Sequence, residues 1–156
     1  IFKWSYWVWW KFSKRNILMG YLLLFYSNLI SSSILLGLIL IVHFVHYKSF
    51  YFISDKEFVD FHSFHTRNIS YLVIPLMIIE ASTSIMICFF YYGLIPLINL
   101  ILVFSIWIVT FLLQVPCHNK LSCGKSDTII KKLIDTNIIR VYLWFFKTIS
   151  ILLIIL

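Results

Sequence analysis

Five histidines carry the first chemical signal in this sequence. His43 and His46 form an H-x-x-H pair, His62 and His65 form a second, and His118 stands alone further on. Imidazoles three residues apart on a helix share a face, so each pair offers two nitrogens to one metal ion. Two such pairs on adjacent segments predict a haem, zinc or non-haem iron site with His43, His46, His62 and His65 as ligands. The competing reading is that histidine is an amphipathic side chain at home near a membrane boundary, where its nitrogens find water or backbone partners.

Glu80 is the second signal, because it lies well inside an apolar run. A carboxylate at the middle of a membrane costs about 3 kcal/mol and faces the bundle interior, where it meets a partner. Asn99, Gln114, Tyr21, Ser31–Ser33 and Lys147 are candidates for that partner. Glu80 then serves either proton transfer and substrate binding or simply an interhelical contact. Lys147 is itself deep in the last apolar run, and Asn137 and Arg140 open that run. Of the three cysteines, Cys88 falls in an apolar span and Cys117 and Cys123 flank a loop, with no C-x-x-C to support disulfide exchange.

The chain that positions these residues has 156 residues, 62% hydrophobic and 12% charged, with mean hydropathy +0.96. Soluble domains are about half apolar and about a quarter charged. A hydrocarbon core about 30 Å thick takes about 20 helical residues to cross, and the alternating polar positions of a membrane β-barrel are missing. The fold class is therefore all-α, an integral membrane four-helix bundle. The expected spans are Tyr21–His46, Ser70–Tyr91, Leu97–Val115 and Asn137–Leu156. Gly93 and Pro96 mark the turn between the second and third, and Pro116 is expected to end the third.

Two polar connections, Tyr47–Asn68 and Cys117–Thr136, fall on one membrane face. The first contains Ser54-Asp55-Lys56-Glu57, the pattern of a capping box, which predicts one short amphipathic loop helix carrying Phe58, Phe61, His62 and His65 on one face. The second contains a short amphipathic stretch at Ile129–Ile134. Residues 1–18 form a separate aromatic and basic segment, with Trp4, Trp7, Trp9 and Trp10 among Lys3, Lys11, Lys14 and Arg15. It reads either as an interfacial arm or as sequence upstream of a natural start at Met19, leaving 19–156 as the transmembrane domain.

The net charge of +7 comes from basic residues scattered beside apolar spans. That is a topology signal rather than a nucleic-acid surface, and it places the long loops in the cytoplasm. No Gly-rich phosphate loop, nucleophile elbow or H-E-x-x-H occurs, so nucleotide-dependent and hydrolytic chemistry have no support.

Several segments resemble a group of small bacterial four-helix membrane proteins. They are HYKSF at 46–50, FHSFHTR at 61–67, PLMIIEAST at 75–83, LLQVPCHNKL at 112–121 and LIDTNIIRVYLW at 133–144. The last two are similar to the anthrone-oxygenase-like family, with its Val-Pro-x-x-Asn element after one span and its Asn-x-x-Arg element opening the next. Here the first element reads Val115-Pro116-Cys117-His118-Asn119, with histidine beside the asparagine. The resemblance implies a bundle of the bacterial inner membrane whose polar residues meet at the long-loop face. Its cluster would be His46, His62, His65, Glu80, His118, Asn119, Asn137 and Arg140.

Three functional classes follow. The first is an oxidoreductase or oxygenase acting on a hydrophobic aromatic or quinone-like small molecule, with or without haem or a transition metal. There His118, Asn119 and Arg140 orient the substrate, Glu80 or a histidine moves protons, and Asn137 is a further candidate catalytic residue. The second is a carrier built around Glu80 and Lys147. The third is a non-catalytic structural or accessory subunit whose polar residues specify helix packing. Its partners would be the lipid bilayer and a second copy in a homo-oligomer.

Overall fold

Backbone amides in hydrocarbon have no water to bond, so an apolar chain of this kind must satisfy them within its own helices. The computed structural model describes the backbone of residues 2–156 and the side chains of residues 18–156. The side chains of the aromatic and basic segment lie outside the described residues, and so does the choice between its two readings.

Four rods, Leu18–Phe52, Asp55–Phe90, Leu94–Leu121 and Asp127–Ile155, are each long and apolar enough to cross a membrane. The chain is a multi-pass membrane protein. The first rod joins α1 (Phe2–Ile41), a π turn at Val42–His46, α2 (Tyr47–Ser49) and a 3-10 turn at Phe50–Phe52. The second is α3 (Asp55–Phe90). The third joins α4 (Leu94–Val109), a π turn at Thr110–Gln114 and α5 (Val115–Leu121), and the fourth is α6 (Asp127–Ile155). The rods form a ring in which each packs on its neighbours in sequence and the fourth closes against the first.

The surface is apolar and the interior is partly polar. Leu23, Tyr71, Phe89 and Leu112 face outward, while Asn28, Ser32, Glu80, Asn99, Asn137 and Lys147 are buried. In lipid this polarity is expected, since apolar side chains gain nothing by leaving hydrocarbon and polar ones must find each other. An apolar plug of Val42, Tyr47, Phe50, Phe58, Leu121, Ile130 and Leu133 fills the loop end. A second cluster around Leu35, Ile39, Met77, Ile106 and Trp144 fills the middle.

The rods are longer than the expected spans. The loop helix is not separate: it is the beginning of α3, which runs unbroken through Pro75. Ser54 does sit at the N-cap in an extended conformation. Its hydroxyl, however, donates to the Glu57 carboxylate at 2.7 Å, and no side-chain bond caps the backbone. Beyond Asp55 nothing in the sequence offers the backbone a better partner than the next helical turn, so the helix continues. The Ile129–Ile134 stretch is likewise the start of α6.

Pro116 does not end the third rod. A proline lacks its N–H and crowds the preceding turn, and here the turn before it is already widened. Val115 N–H reaches back to Thr110 O, one residue further than in an α-helix, so the helix passes the proline. Pro96, in contrast, behaves as expected: it lies in the first turn of α4, where its missing donor costs nothing.

Candidate functional site

The histidines converge where the two π turns lie. The His46 and His65 rings pack with centroids 3.9 Å apart. The His62 and His118 centroids are 5.2 Å apart, and those of His65 and His118 are 6.2 Å apart. His43 is elsewhere: the wide turn that begins at Val42 takes it off the face of His46, and it packs edge-on against Phe44. Three of the four proposed metal ligands thus approach one another, and His118 joins them. The rings lie against each other rather than around a point. Among the described residues, no three His, Cys, Asp or Glu side chains are arranged to hold a metal ion.

A hydrogen-bonded chain links three of these residues. The Tyr47 hydroxyl is 3.0 Å from His118 Nε2, and His118 Nδ1 is 3.0 Å from His62 Nε2. A neutral imidazole donates from one nitrogen and accepts at the other, so all three groups must be polarised in the same sense. Either Tyr47 donates to His118 and His118 to His62, or the whole chain runs the other way. Passing from the first sense to the second takes the hydroxyl proton of Tyr47 and protonates His62 on Nε2, so that His62 can release the proton it already carries on Nδ1, a buried atom without a protein partner.

Tyr47 and His118 also line a cavity of about 310 Å³, together with His65, Gln114, Arg140 and Trp107 at polar positions. The rest of the wall is apolar, with Leu35, Ile39, Val73, Met77 and Trp144 among its members. Ile74 and Phe111 line the cavity and are also exposed on the lipid side, by 52% and 56%. The mouth therefore opens to the bilayer in the seam between the second and third rods. A second recess, between the first and second rods, shares Leu38, Val42, His65 and Ile69 with it.

Several polar atoms around the cavity are buried without a protein partner. Gln114 donates from Nε2 to Thr136 at 2.9 Å, but its Oε1 is unpaired, as are Trp107 Nε1 and Arg140 Nε. Arg140 donates from Nη1 to Asn137 Oδ1 at 3.2 Å, and its guanidinium lies over the Trp144 ring at 5.1 Å. Asn137 thus positions Arg140 rather than facing the cavity itself. Asn119 is not in the site, because it is exposed at the end of α5.

Glu80 belongs to a different region. Lys147 Nζ lies 3.3 Å from its Oε1, with both side chains fully buried, and Trp144 Nε1 donates to Oε2 at 3.2 Å. Lys147 also donates to Asn28 Oδ1 at 2.6 Å and to the Ser32 hydroxyl. Asn28 in turn donates to Thr83 and Ser84 at 2.7 and 2.9 Å. Of the expected partners of Glu80, Lys147 is the one that pairs with it. Asn99 bonds Ser150 instead.

Sequence reasoning missed Tyr47, Trp107 and Asn28 as members of these networks. Tyr47 and Trp107 read as ordinary membrane aromatics. Asn28 carried a signal that was overlooked: it is an amide on the same stripe as Ser31 and Ser32 in the first apolar run. Comparison with protein-family models, with curated proteins and with solved structures finds no match for this chain.

Proposed function

We propose that the protein is a membrane-embedded oxidoreductase of the oxygenase type, taking a hydrophobic aromatic or quinone-like molecule from the bilayer into its cavity. The observation that carries this reading is the cavity itself. It is of small-molecule size, opens to lipid, and sets Tyr47, His65, Gln114, His118 and Arg140 into an otherwise largely apolar wall. The excess of basic residues in the long loops supports a cytoplasmic position for the loop end of the bundle, in a bacterial inner membrane on this reading.

In this reading the chain of Tyr47, His118 and His62 moves a proton. The Tyr47 oxygen accepts one from the activated C–H or O–H of the substrate as Tyr47 gives its own to His118. His118 passes its Nδ1 proton to His62 Nε2, and His62 releases one from Nδ1. Dioxygen is the oxidant, so that a CH2 and O2 give a C=O and water. The apolar wall holds the ring system, and the lipid-side mouth admits it without passage through water.

The test is turnover of an anthrone by the full chain in lipid nanodiscs, followed as oxygen uptake and quinone absorbance. His118→Ala removes the middle of the relay and is expected to lower the rate about 100-fold with helicity unchanged. An anthrone consumed no faster than in empty nanodiscs would overturn the proposal.

The second reading, a structural or accessory subunit, is favoured by the Glu80, Lys147 and Asn28 network, which ties three rods together and contributes none of these three residues to the walls of the cavity described above. A protein that binds no aromatic and is stabilised by co-expression with a membrane partner would support it.

A further inference from the structure

The polar residues of the cavity wall specify the headgroup of what it binds. Arg140 keeps only 7% of its surface exposed and lines the cavity. A guanidinium stays charged in any protein environment, and burying a charge without a counter-ion is costly. Yet the ion pairs found among the described residues are Lys125 with Asp55 and Lys147 with Glu80. Arg140 has the neutral Asn137 as its hydrogen-bond partner, the Tyr47 hydroxyl beside it and the face of Trp144, none of them a carboxylate, and its Nε is unpaired. The cation of the second ion pair, by contrast, is given a carboxylate.

Two more unpaired atoms line the same cavity. Trp107 Nε1 is a donor, and Gln114 Oε1 is an acceptor. Buried polar groups in folded proteins are nearly all hydrogen-bonded. Unpaired atoms occur elsewhere in the bundle too, on His43, His46, His62, Glu80, Asn99 and Asn137, but the three on Trp107, Gln114 and Arg140 belong to residues that line the cavity, where a bound molecule can reach them. Arg140 asks for an anionic oxygen, Trp107 for an acceptor, and Gln114 for an O–H or N–H. The remaining wall asks for an apolar body.

We infer that the cavity takes a lipophilic aromatic acid, a ring system bearing an ionised oxygen against Arg140 and a hydroxyl against Gln114. This rests on the reading of the cavity as a substrate site and narrows it to a substrate class. Arg140 is the specificity-determining residue, and Asn137 holds it in place. A fatty acid offers the same anionic oxygen on a lipophilic body, but it has no hydroxyl for Gln114.

The experiment is isothermal titration of the full chain in nanodiscs, with empty nanodiscs as the partition control. Three probes are used: 6-hydroxy-2-naphthoate, its methyl ester and palmitate. The acid is expected to bind at least about tenfold more tightly than the ester, equivalent to about 1.4 kcal/mol. Arg140→Met should erase that difference, and Arg140→Lys should restore part of it.

Equal binding of acid and ester to the unsubstituted protein overturns the inference while leaving the cavity a binding site. Arg140-dependent binding of palmitate that excludes the naphthoate overturns the aromatic class. Binding of neither naphthalene probe above the control removes the substrate-site reading as well. The comparison of acid with ester needs no variant, so a misfolded Arg140→Met leaves the test intact.

Discussion

Two buried cations on one helix are treated in opposite ways. Lys147 and Arg140 are seven residues apart on α6, about 10 Å along its axis. Lys147 is surrounded by Glu80, Asn28 and Ser32, and its neighbour Asn28 is itself bonded to Thr83 and Ser84. Arg140 has a neutral amide, a phenol, an aromatic face and an open cavity. Glu80 Oε1 has no hydrogen bond but faces the Lys147 ammonium at 3.3 Å, so its charge is matched. Charge-matched polar groups rigidify a fold, whereas a buried cation without a counter-ion is costly in the free protein and gains when an anionic ligand arrives. The first region has the character of a structural clamp and the second of a receptor.

The largest expected effect tests the clamp. Lys147→Met leaves Glu80 buried without its cation, and removing one member of a buried pair costs about 3 kcal/mol or more. Unfolding in bicelles should show that loss. The double variant Glu80→Leu/Lys147→Met removes both charges and should recover most of it, because the pair's desolvation cost disappears with its attraction. A double variant as unstable as the single would mean that Lys147 works through Asn28 and Ser32 rather than through Glu80.

Next in size is the contrast on stability at the other cation. Arg140→Met removes a buried charge that has no protein counter-ion, so its stability should stay within about 1 kcal/mol of the unsubstituted protein or exceed it. Under the same unfolding assay, a loss as large as that of Lys147→Met would abolish the distinction between clamp and receptor. Arg140 would then be a packing residue.

Much of this was legible before any coordinates. The apolar runs set four helices, and the depth of Glu80 called for a buried partner, with Lys147 one of several candidates that its position allowed. The order of the spans puts His46, His62, His65 and His118 at one end of the bundle, and there their rings pack against one another. What escaped is physically instructive. A π turn has no sequence signature of its own, so the widening at Val42–His46 was invisible, and with it the departure of His43 from its H-x-x-H partner. The placement of Asn119 failed for a simpler reason. It follows His118 directly, and one residue turns the chain about 100° around a helix, so the two cannot face the same cavity. Polar segments were read as loops because the composition changes there, but a helix emerging from the bilayer keeps its backbone bonds.

The smallest effect concerns the π turn of the third rod. Proline explains why the chain tolerates that turn, since the widened geometry spares Pro116 the clash it would meet in an α-helix. It does not follow that proline causes it. Gln114 bonds Thr136 on α6, and His118 bonds both Tyr47 and His62. These contacts hold the segment on either side of Pro116 in its present rotation. Returning the turn to α-helical geometry would rotate one side relative to the other and break one set of bonds. Pro116→Ala is therefore expected to change stability by less than about 1 kcal/mol and naphthoate affinity by less than about twofold. A large loss of affinity with unchanged stability would show that proline alone sets the register, and that His118 reaches the cavity only because Pro116 precedes it.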